Sequence, residues 1–129
     1  MSKGSTRCIK YKLTDDLKFV DVESVVAATD GTTEEQWAAM CETLPDTDCR
    51  YIIYDVTWQT ADGGERSKIL FVLWSPDSAK IKSKMLYTSS KDAFKKALVG
   101  IAQDFQATDK SEISFDVAIE KCKGATTDA

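Results

Sequence analysis

The fold is decided by residues 51–74, YIIYDVTWQTADGGERSKILFVLW. The first eight of these residues are rich in aromatic and β-branched types, which favour a strand. Ala61-Asp62-Gly63-Gly64 predicts a turn, and residues 69–74 (ILFVLW) follow as an unbroken apolar run. Such a run is typical of a strand that is covered on both faces. The segment therefore predicts the centre of a sheet that has helices on both sides.

Three more strands are predicted around this centre. The alternation of apolar and polar residues in 7–13 (RCIKYKL) predicts a half-buried strand. A turn signal at 14–16 (TDD) separates it from a second strand at 17–22 (LKFVDV), and residues 101–107 predict a short last strand. Because hairpins dominate the order, we expect an α/β (α+β) fold with a central mixed five-stranded sheet.

Two of the three predicted helices have clear start signals. Thr32 and Thr33 are each followed three residues later by Glu35 or Gln36, which is the capping-box pattern. Pro45 ends this first helix, and Ser114 predicts the cap of the last one. Apolar residues at helical spacing predict the inward sides of these two helices: Trp37, Met40, Cys41, Leu44 in the first, and Phe115, Ala118, Ile119, Cys122 in the last.

The longest helical pattern runs from Ala79 to Gly100, with Gly100 as the predicted C-cap. Ser89-Ser90 at its middle predicts a bend or a new cap. Two sides are expected, one apolar and one basic. The predicted apolar side comprises Ala93, Phe94, Ala97, Leu98 and Ile101. The predicted basic side comprises Lys84, Thr88, Lys91 and Lys95.

Composition argues against catalysis and against a metal site. The chain has 129 residues and no histidine, so the usual general base and the commonest zinc ligand are both missing. No glycine-rich phosphate loop is present, and the four cysteines form no CxxC pair. We therefore expect no enzyme, no cofactor, no metal and reduced thiols. Without a long apolar run or a secretory signal, we expect the cytosol, or the nucleus by passive entry.

Charge is unevenly distributed along the chain. Eight basic and two acidic residues lie between Arg66 and Lys96, whereas the whole chain carries a formal charge of −4. Such a run is either a solvated face or a basic patch for an acidic partner. The basic residues lack interleaved aromatic residues, so we expect no nucleic-acid partner.

Several motifs resemble the cofilin/actin-depolymerising-factor family. They include DCRYIIYD at 48–55, RSKI at 66–69, LWSPD at 73–77 and QATD at 106–109. The longest is IKSKMLYTSSKDAFKKALVG at 81–100, which is highly specific. The resemblance implies one actin-depolymerising-factor homology domain over 1–129, with 1–6 and 124–129 as flexible tails.

The resemblance also implies a function and its residues. Members bind actin monomers and filaments and promote filament severing or depolymerisation. The implied actin-binding residues are Lys82, Lys84, Met85, Lys91, Lys95 and Lys96. The implied filament-binding residues are Arg66, Lys68, Glu120 and Lys121. Phosphoinositide headgroups are implied as competing partners at Lys82, Lys84, Lys91 and Lys95. The implied location is the cytoplasm and its cytoskeleton.

One departure from the family pattern has a structural consequence. The family's first helix precedes its first strand, but only MSKGST precedes the strand at 7–13 here. We therefore expect that helix to be missing and some apolar residues on one sheet face to be exposed. Neither Ser2 nor Ser5 aligns with the family's regulatory serine. Two alternatives stay open, a phosphoinositide-binding adaptor and a filament-side-binding member without severing activity.

Overall fold

The structure is a computed structural model that describes residues 6–14, 19–27, 32–98 and 100–124. These residues form five strands, three helices and a short 3₁₀ turn at Lys110–Ile113. The strands are β1 (Thr6–Leu13), β2 (Val20–Ala27), β3 (Arg50–Gln59), β4 (Glu65–Trp74) and β5 (Ile101–Ala107). The helices are α1 (Thr33–Glu42), α2 (Ile81–Lys96) and α3 (Phe115–Gly124).

All five strands form one mixed sheet in the order β2-β1-β3-β4-β5. Neighbours are antiparallel except β4 and β5, which are parallel because α2 crosses over between them. The central hairpin pairs over its full length, from Arg50 opposite Trp74 to Gln59 opposite Glu65. Gly63 turns it with φ of 88°, a conformation that favours glycine. The predicted mixed five-stranded sheet is confirmed.

Each face of the sheet carries its own core. On the face that we call the first, α1 and α3 cover residues such as Ile52, Leu70 and Val72. On the second face, α2 covers alternate residues of the same strands, including Ile53 and Phe71. All of Leu70–Trp74 is buried, so the prediction that this apolar run is covered on both faces is confirmed.

The predicted helix caps on the first face are present. The Thr32 hydroxyl accepts from the Glu35 amide, and the Glu35 carboxylate accepts from the Thr32 amide, which completes the capping box. The Ser114 hydroxyl accepts from the Val117 amide at 3.3 Å at the start of α3. Trp37 joins α1 to the 3₁₀ turn that precedes α3, since its Nε1 donates to the Ile113 carbonyl at 2.7 Å.

The cysteines contribute to these cores as small apolar side chains. Cys8, Cys49 and Cys122 are buried, and Cys41 is partly buried. Burial raises the pKa of Cys8 to about 12 and the pKa of Cys122 to about 11. A thiol with such a pKa is almost entirely protonated near neutral pH and is therefore a poor nucleophile.

Several predicted boundaries need correction. β2 runs from Val20 to Ala27, whereas the prediction was 17–22, and residues 15–18 lie outside the described residues. α2 is shorter than 79–100 because Lys80 is extended and Ala97 forms the C-cap. Ser89 neither ends nor restarts α2: its hydroxyl donates to the Leu86 carbonyl within a continuous helix.

The predicted tails also need correction at their inner ends. Thr6 belongs to β1 and Gly124 belongs to α3. Residues 1–5, which include Ser2 and Ser5, and residues 125–129 lie outside the described residues.

Part of the second face carries no helix from the described residues. The cross-strand pairs place Val25 beside Ile9 and Val22 beside Tyr11, on the side of the sheet where α2 packs. Val22 is 56% exposed and Val25 is 59% exposed, because α2 reaches β1 at Tyr11 and Leu13 but does not cover this part of β2. The expectation of exposed apolar residues is therefore confirmed.

This exposed region predicts binding of an apolar dye. We expect Val22→Thr/Val25→Thr to lower 8-anilinonaphthalene-1-sulfonate fluorescence, since threonine keeps the shape of valine and suits a strand. The free energy of unfolding should change by less than about 0.5 kcal/mol, because both side chains are already exposed. Dye fluorescence and urea unfolding measure the two effects.

The same substitution at the buried Val56 is the matched control for stability. Val56→Thr places a hydroxyl in the first-face core, where an unpaired polar group costs about 1–3 kcal/mol, so the free energy of unfolding should fall by about that amount. Unchanged dye fluorescence in the Val22/Val25 variant would contradict the assignment of the exposed region.

A polar network fastens the β1–β2 hairpin to the rest of the sheet. Lys10 is buried and donates to the Thr43 hydroxyl at 2.6 Å, and its Nζ lies 3.7 Å from Glu23. Glu23 also pairs with Arg50 Nε at 3.1 Å, and Arg50 pairs with Asp48 at 2.7 Å. Partial burial would raise the pKa of Glu23, but the Arg50 and Lys10 cations outweigh it and lower that pKa.

Folding stability should therefore depend on the charge of Glu23. The pKa of Glu23 is lower in the folded chain than in the unfolded chain, where it is about 4.3. The ion pairs therefore stabilise the fold fully above the pKa of the unfolded chain. Their effect is lost as the pH falls through the pKa of the folded chain. We expect Glu23→Gln to lower the free energy of unfolding at pH 7 by at most about 1 kcal/mol, because solvent screens the pair.

Urea unfolding between pH 7 and pH 3 tests this expectation. The difference between Glu23→Gln and the wild type should shrink towards pH 3. Glu42→Gln, at the exposed end of α1, is the charge-matched control and should change stability less. If the difference in the free energy of unfolding between Glu23→Gln and the wild type did not change with pH, the charge of Glu23 would not be its cause.

Candidate functional site on helix α2

The basic helix α2 is held firmly on the second face of the sheet. Tyr87 is buried, and its hydroxyl accepts from the Leu13 amide at 2.8 Å while the Tyr51 hydroxyl donates to its carbonyl. Two turns further on, the Phe94 ring stacks on Tyr51 at 5.1 Å and meets the edge of Tyr11 at 4.8 Å. The outward side chains of α2 are therefore presented by a fixed backbone.

The outward face of α2 exposes two large apolar side chains. Ile81 is 72% exposed and Met85, one turn later, is 66% exposed. With Lys82, Leu86 and Ser89 they line a shallow groove of about 400 Å³. Exposed apolar side chains beside a cation are typical of a protein-binding surface. Met85 was predicted from the sequence, whereas Ile81 was not.

The predicted lysines divide between two sides of α2. At about 100° per residue, Lys82 and Lys96 lie on the outward face with Met85. Lys91 and Lys95 lie on the flank towards β5, where their Nζ atoms are 3.3 and 3.2 Å from Asp104 Oδ2.

Lys84 completes the set, and its Nζ donates to the Asp77 carbonyl at 3.1 Å. Lys84, Lys91 and Lys95 thus lie on one flank of α2, as predicted. Their contacts with the Asp77 carbonyl and the Asp104 carboxylate could not be predicted from the helix periodicity.

Asp104 remains ionised next to these two lysines. Partial burial would raise its pKa, but hydrogen bonds from Lys95 and Lys91 and their positive charges outweigh this and lower it. Its cross-strand partner is Phe71, on the face that α2 covers. One carboxylate therefore faces two ammonium groups, and half of their charge is balanced within the chain.

The predicted apolar side of α2 is wrong in part. Phe94 and Leu98 pack against the second-face core, but Ala93 and Ala97 are exposed. Since Lys91 and Lys95 face β5, the opposite flank faces the side of β1 and β2, where no described helix covers the sheet. Ala93 therefore lacks the neighbour that would bury it.

The predicted filament-binding residues lie on the first face. Arg66 is the cross-strand partner of Trp58, and Lys68 of Val56, both in the first-face core. Lys68 lies close to α3. Its positive charge partly opposes the effect of burial, which raises the pKa of the Cys122 thiol on that helix.

The α3 members of this group lie nearby. Glu120 and Lys121 are exposed, and Lys121 Nζ lies 5.6 Å from the centre of the Phe105 ring. The two predicted groups of site residues therefore occupy opposite faces of the sheet.

A larger groove lies away from α2, on the first face. It has a volume of about 490 Å³ and a largely apolar lining. The lining residues are Cys8, Lys10, Ser24, Val26, Glu35, Gln36, Ala39, Met40 and Thr43. It is thus formed where α1 meets β1 and β2, apart from both groups of site residues.

No helix in the described part of the chain is both long and apolar enough to span a membrane.

The fold is thus a mixed sheet between two helical layers, and the layer on the second face is the basic helix α2 with its exposed apolar pair. Residues 1–123 match the family described as cofilin/tropomyosin-type actin-binding protein. The chain belongs to this family, which is one of actin-binding proteins. The sequence resemblance is therefore confirmed.

Individual relatives agree with this assignment. The chain is 40% identical to cofilin of Mycosarcoma maydis, over 96% of both proteins. It is 60% identical to actophorin of Acanthamoeba castellanii over 80 residues, which are 62% of this chain and 57% of actophorin. Among solved structures, Streptomyces griseoflavus cofilin superimposes with a TM-score of 0.81 at 33% identity, covering 98% of this chain and 87% of that one.

Proposed function

We propose that the protein binds actin monomers and filaments through α2 and promotes filament severing or depolymerisation. The observation that carries the proposal is the pair Ile81 and Met85, exposed on a fixed helix and flanked by lysines. Buried apolar anchors usually supply most of the affinity at an interface. Lysines around them steer an acidic partner and set its orientation.

Monomer binding should depend more on the apolar pair than on any one lysine. We expect Met85→Ala to weaken binding at least tenfold, because truncating an anchor at a hot spot commonly costs about 2 kcal/mol or more, and about 1.4 kcal/mol is a factor of ten. Lys91→Ala/Lys95→Ala should weaken it about fivefold and mainly slow association at low salt, because Asp104 already balances part of their charge. Fluorescence titration of labelled monomeric actin and stopped-flow association measure both effects.

The control variant removes two positive charges elsewhere. Lys12→Ala/Lys110→Ala changes net charge equally but lies off α2, so actin affinity should stay within about twofold. Met85→Ala should also keep its unfolding midpoint, since Met85 is exposed. Unchanged affinity in both α2 variants would refute the site.

The group on the first face supports a second contact, made only with filaments. Arg66 and Lys68 on β4 lie with Glu120 and Lys121 of α3 on the sheet face opposite α2. A domain with binding groups on opposite faces can contact two subunits at once. We propose that severing follows from this double contact, which changes how neighbouring subunits meet.

The double contact makes severing separable from monomer binding. We expect Arg66→Ala/Lys68→Ala to retain monomer affinity within about twofold while severing falls at least fivefold, because the variant removes only first-face charges. Fluorescence imaging of surface-attached filaments gives severing events per unit length. Normal severing by this variant would refute the double contact, whereas filament decoration without severing by the wild type would favour side binding as the activity.

A phosphoinositide-binding role is the second candidate. α2 carries five lysines, four of them the predicted headgroup ligands Lys82, Lys84, Lys91 and Lys95, but only one acidic residue, Asp92. A cluster of this kind attracts anionic lipid headgroups. Binding to phosphoinositide vesicles without any binding to actin would favour this role. The cytoplasm and its cytoskeleton are the proposed location, and nuclear entry stays a prediction.

A further inference from the structure

The ion pairs of Asp104 join the site helix to the edge of the sheet. β5 is the last strand of the sheet, and Asp104 lies at its middle on the second face. One oxygen of its carboxylate lies 3.3 Å from Lys91 Nζ and 3.2 Å from Lys95 Nζ. All three side chains are one-quarter to one-third exposed, so a partner at the surface can still reach the ammonium groups.

This contact changes what the two lysines offer to a partner. A group that binds them must compete with a carboxylate that is already in place. The nearby carboxylate also halves the net positive charge of the cluster, which weakens long-range attraction to an anionic surface. The outward residues Ile81, Lys82 and Met85 have no part in this ion-pair cluster.

We propose that Asp104 masks Lys91 and Lys95, and so makes α2 selective against lipid surfaces that carry clustered phosphate groups. This inference rests on the proposed function, because it concerns the same helix. Actin would bind chiefly through the outward residues, whereas a phosphate-rich membrane would depend on the charge of the whole cluster. Asp104 thereby sets the ratio of the two affinities.

The test compares Asp104→Asn with the wild type in vesicle binding. The probes are phosphatidylcholine vesicles with and without phosphatidylinositol 4,5-bisphosphate, and soluble inositol trisphosphate as competitor. We expect Asp104→Asn to bind the phosphoinositide vesicles about fivefold more tightly, which is the gain expected for one additional effective positive charge near an anionic membrane. The affinity should also fall more steeply with added salt.

Two further variants separate masking from a general charge effect. Asp92→Asn makes the same change in net charge on the same helix, but no described ion pair joins Asp92 to Lys91 or Lys95, so this variant unmasks neither lysine and should raise vesicle affinity less than twofold. Asp104→Glu keeps the carboxylate and should stay close to the wild type. In ¹³C-dimethyl-lysine NMR spectra, the Lys91 and Lys95 signals should shift in Asp104→Asn and be restored in Asp104→Glu.

The outcomes distinguish this inference from the proposed function. Equal vesicle binding by Asp104→Asn and the wild type, or an equal gain in Asp92→Asn, would overturn the masking role. Actin affinity within about twofold of the wild type in Asp104→Asn supports it, while a loss as large as that of Met85→Ala would overturn it. The proposed actin site fails separately, through Met85→Ala and Lys91→Ala/Lys95→Ala.

Discussion

The packing of α2 on the sheet through Tyr51, Tyr87 and Phe94 is the interaction on which the rest depends. It fills the second-face core, ties the helix to β1 through the Leu13 amide, and fixes which side chains face outward. Aromatic rings suit this task because they bury a large area with few rotatable bonds. The proposed binding surface is therefore a consequence of how the opposite side of the same helix is buried.

The sequence was sufficient to predict the features that rest on local chemistry. The apolar run in β4 predicted burial on both faces, and Thr32 with Glu35 predicted the start of α1. The specific string at 81–100 indicated the family, which is confirmed, whereas the role of the exposed Met85 as an anchor stays a prediction. Each of these signals lies within one element, so no long-range contact was needed to interpret it.

Features that depend on contacts between distant elements were not predictable in this way. Asp104 lies nine residues after Lys95, and only the return of the chain through β5 brings them together. Ala93 fits an apolar stripe, yet it is exposed because the part of the sheet it faces carries no described helix. Periodicity gives the direction of a side chain on its own helix, but the neighbouring element decides whether it is buried or paired.

The crossover from β4 through α2 to β5 has a mechanical consequence. α2 is joined by short connections, residues 75–80 and 97–100, to two strands that pair side by side. A load applied to the helix is therefore transmitted through the backbone at both ends into the sheet. Since the helix returns along the strands, tension along its axis acts lengthwise on β4 and β5 and is shared by all their hydrogen bonds at once.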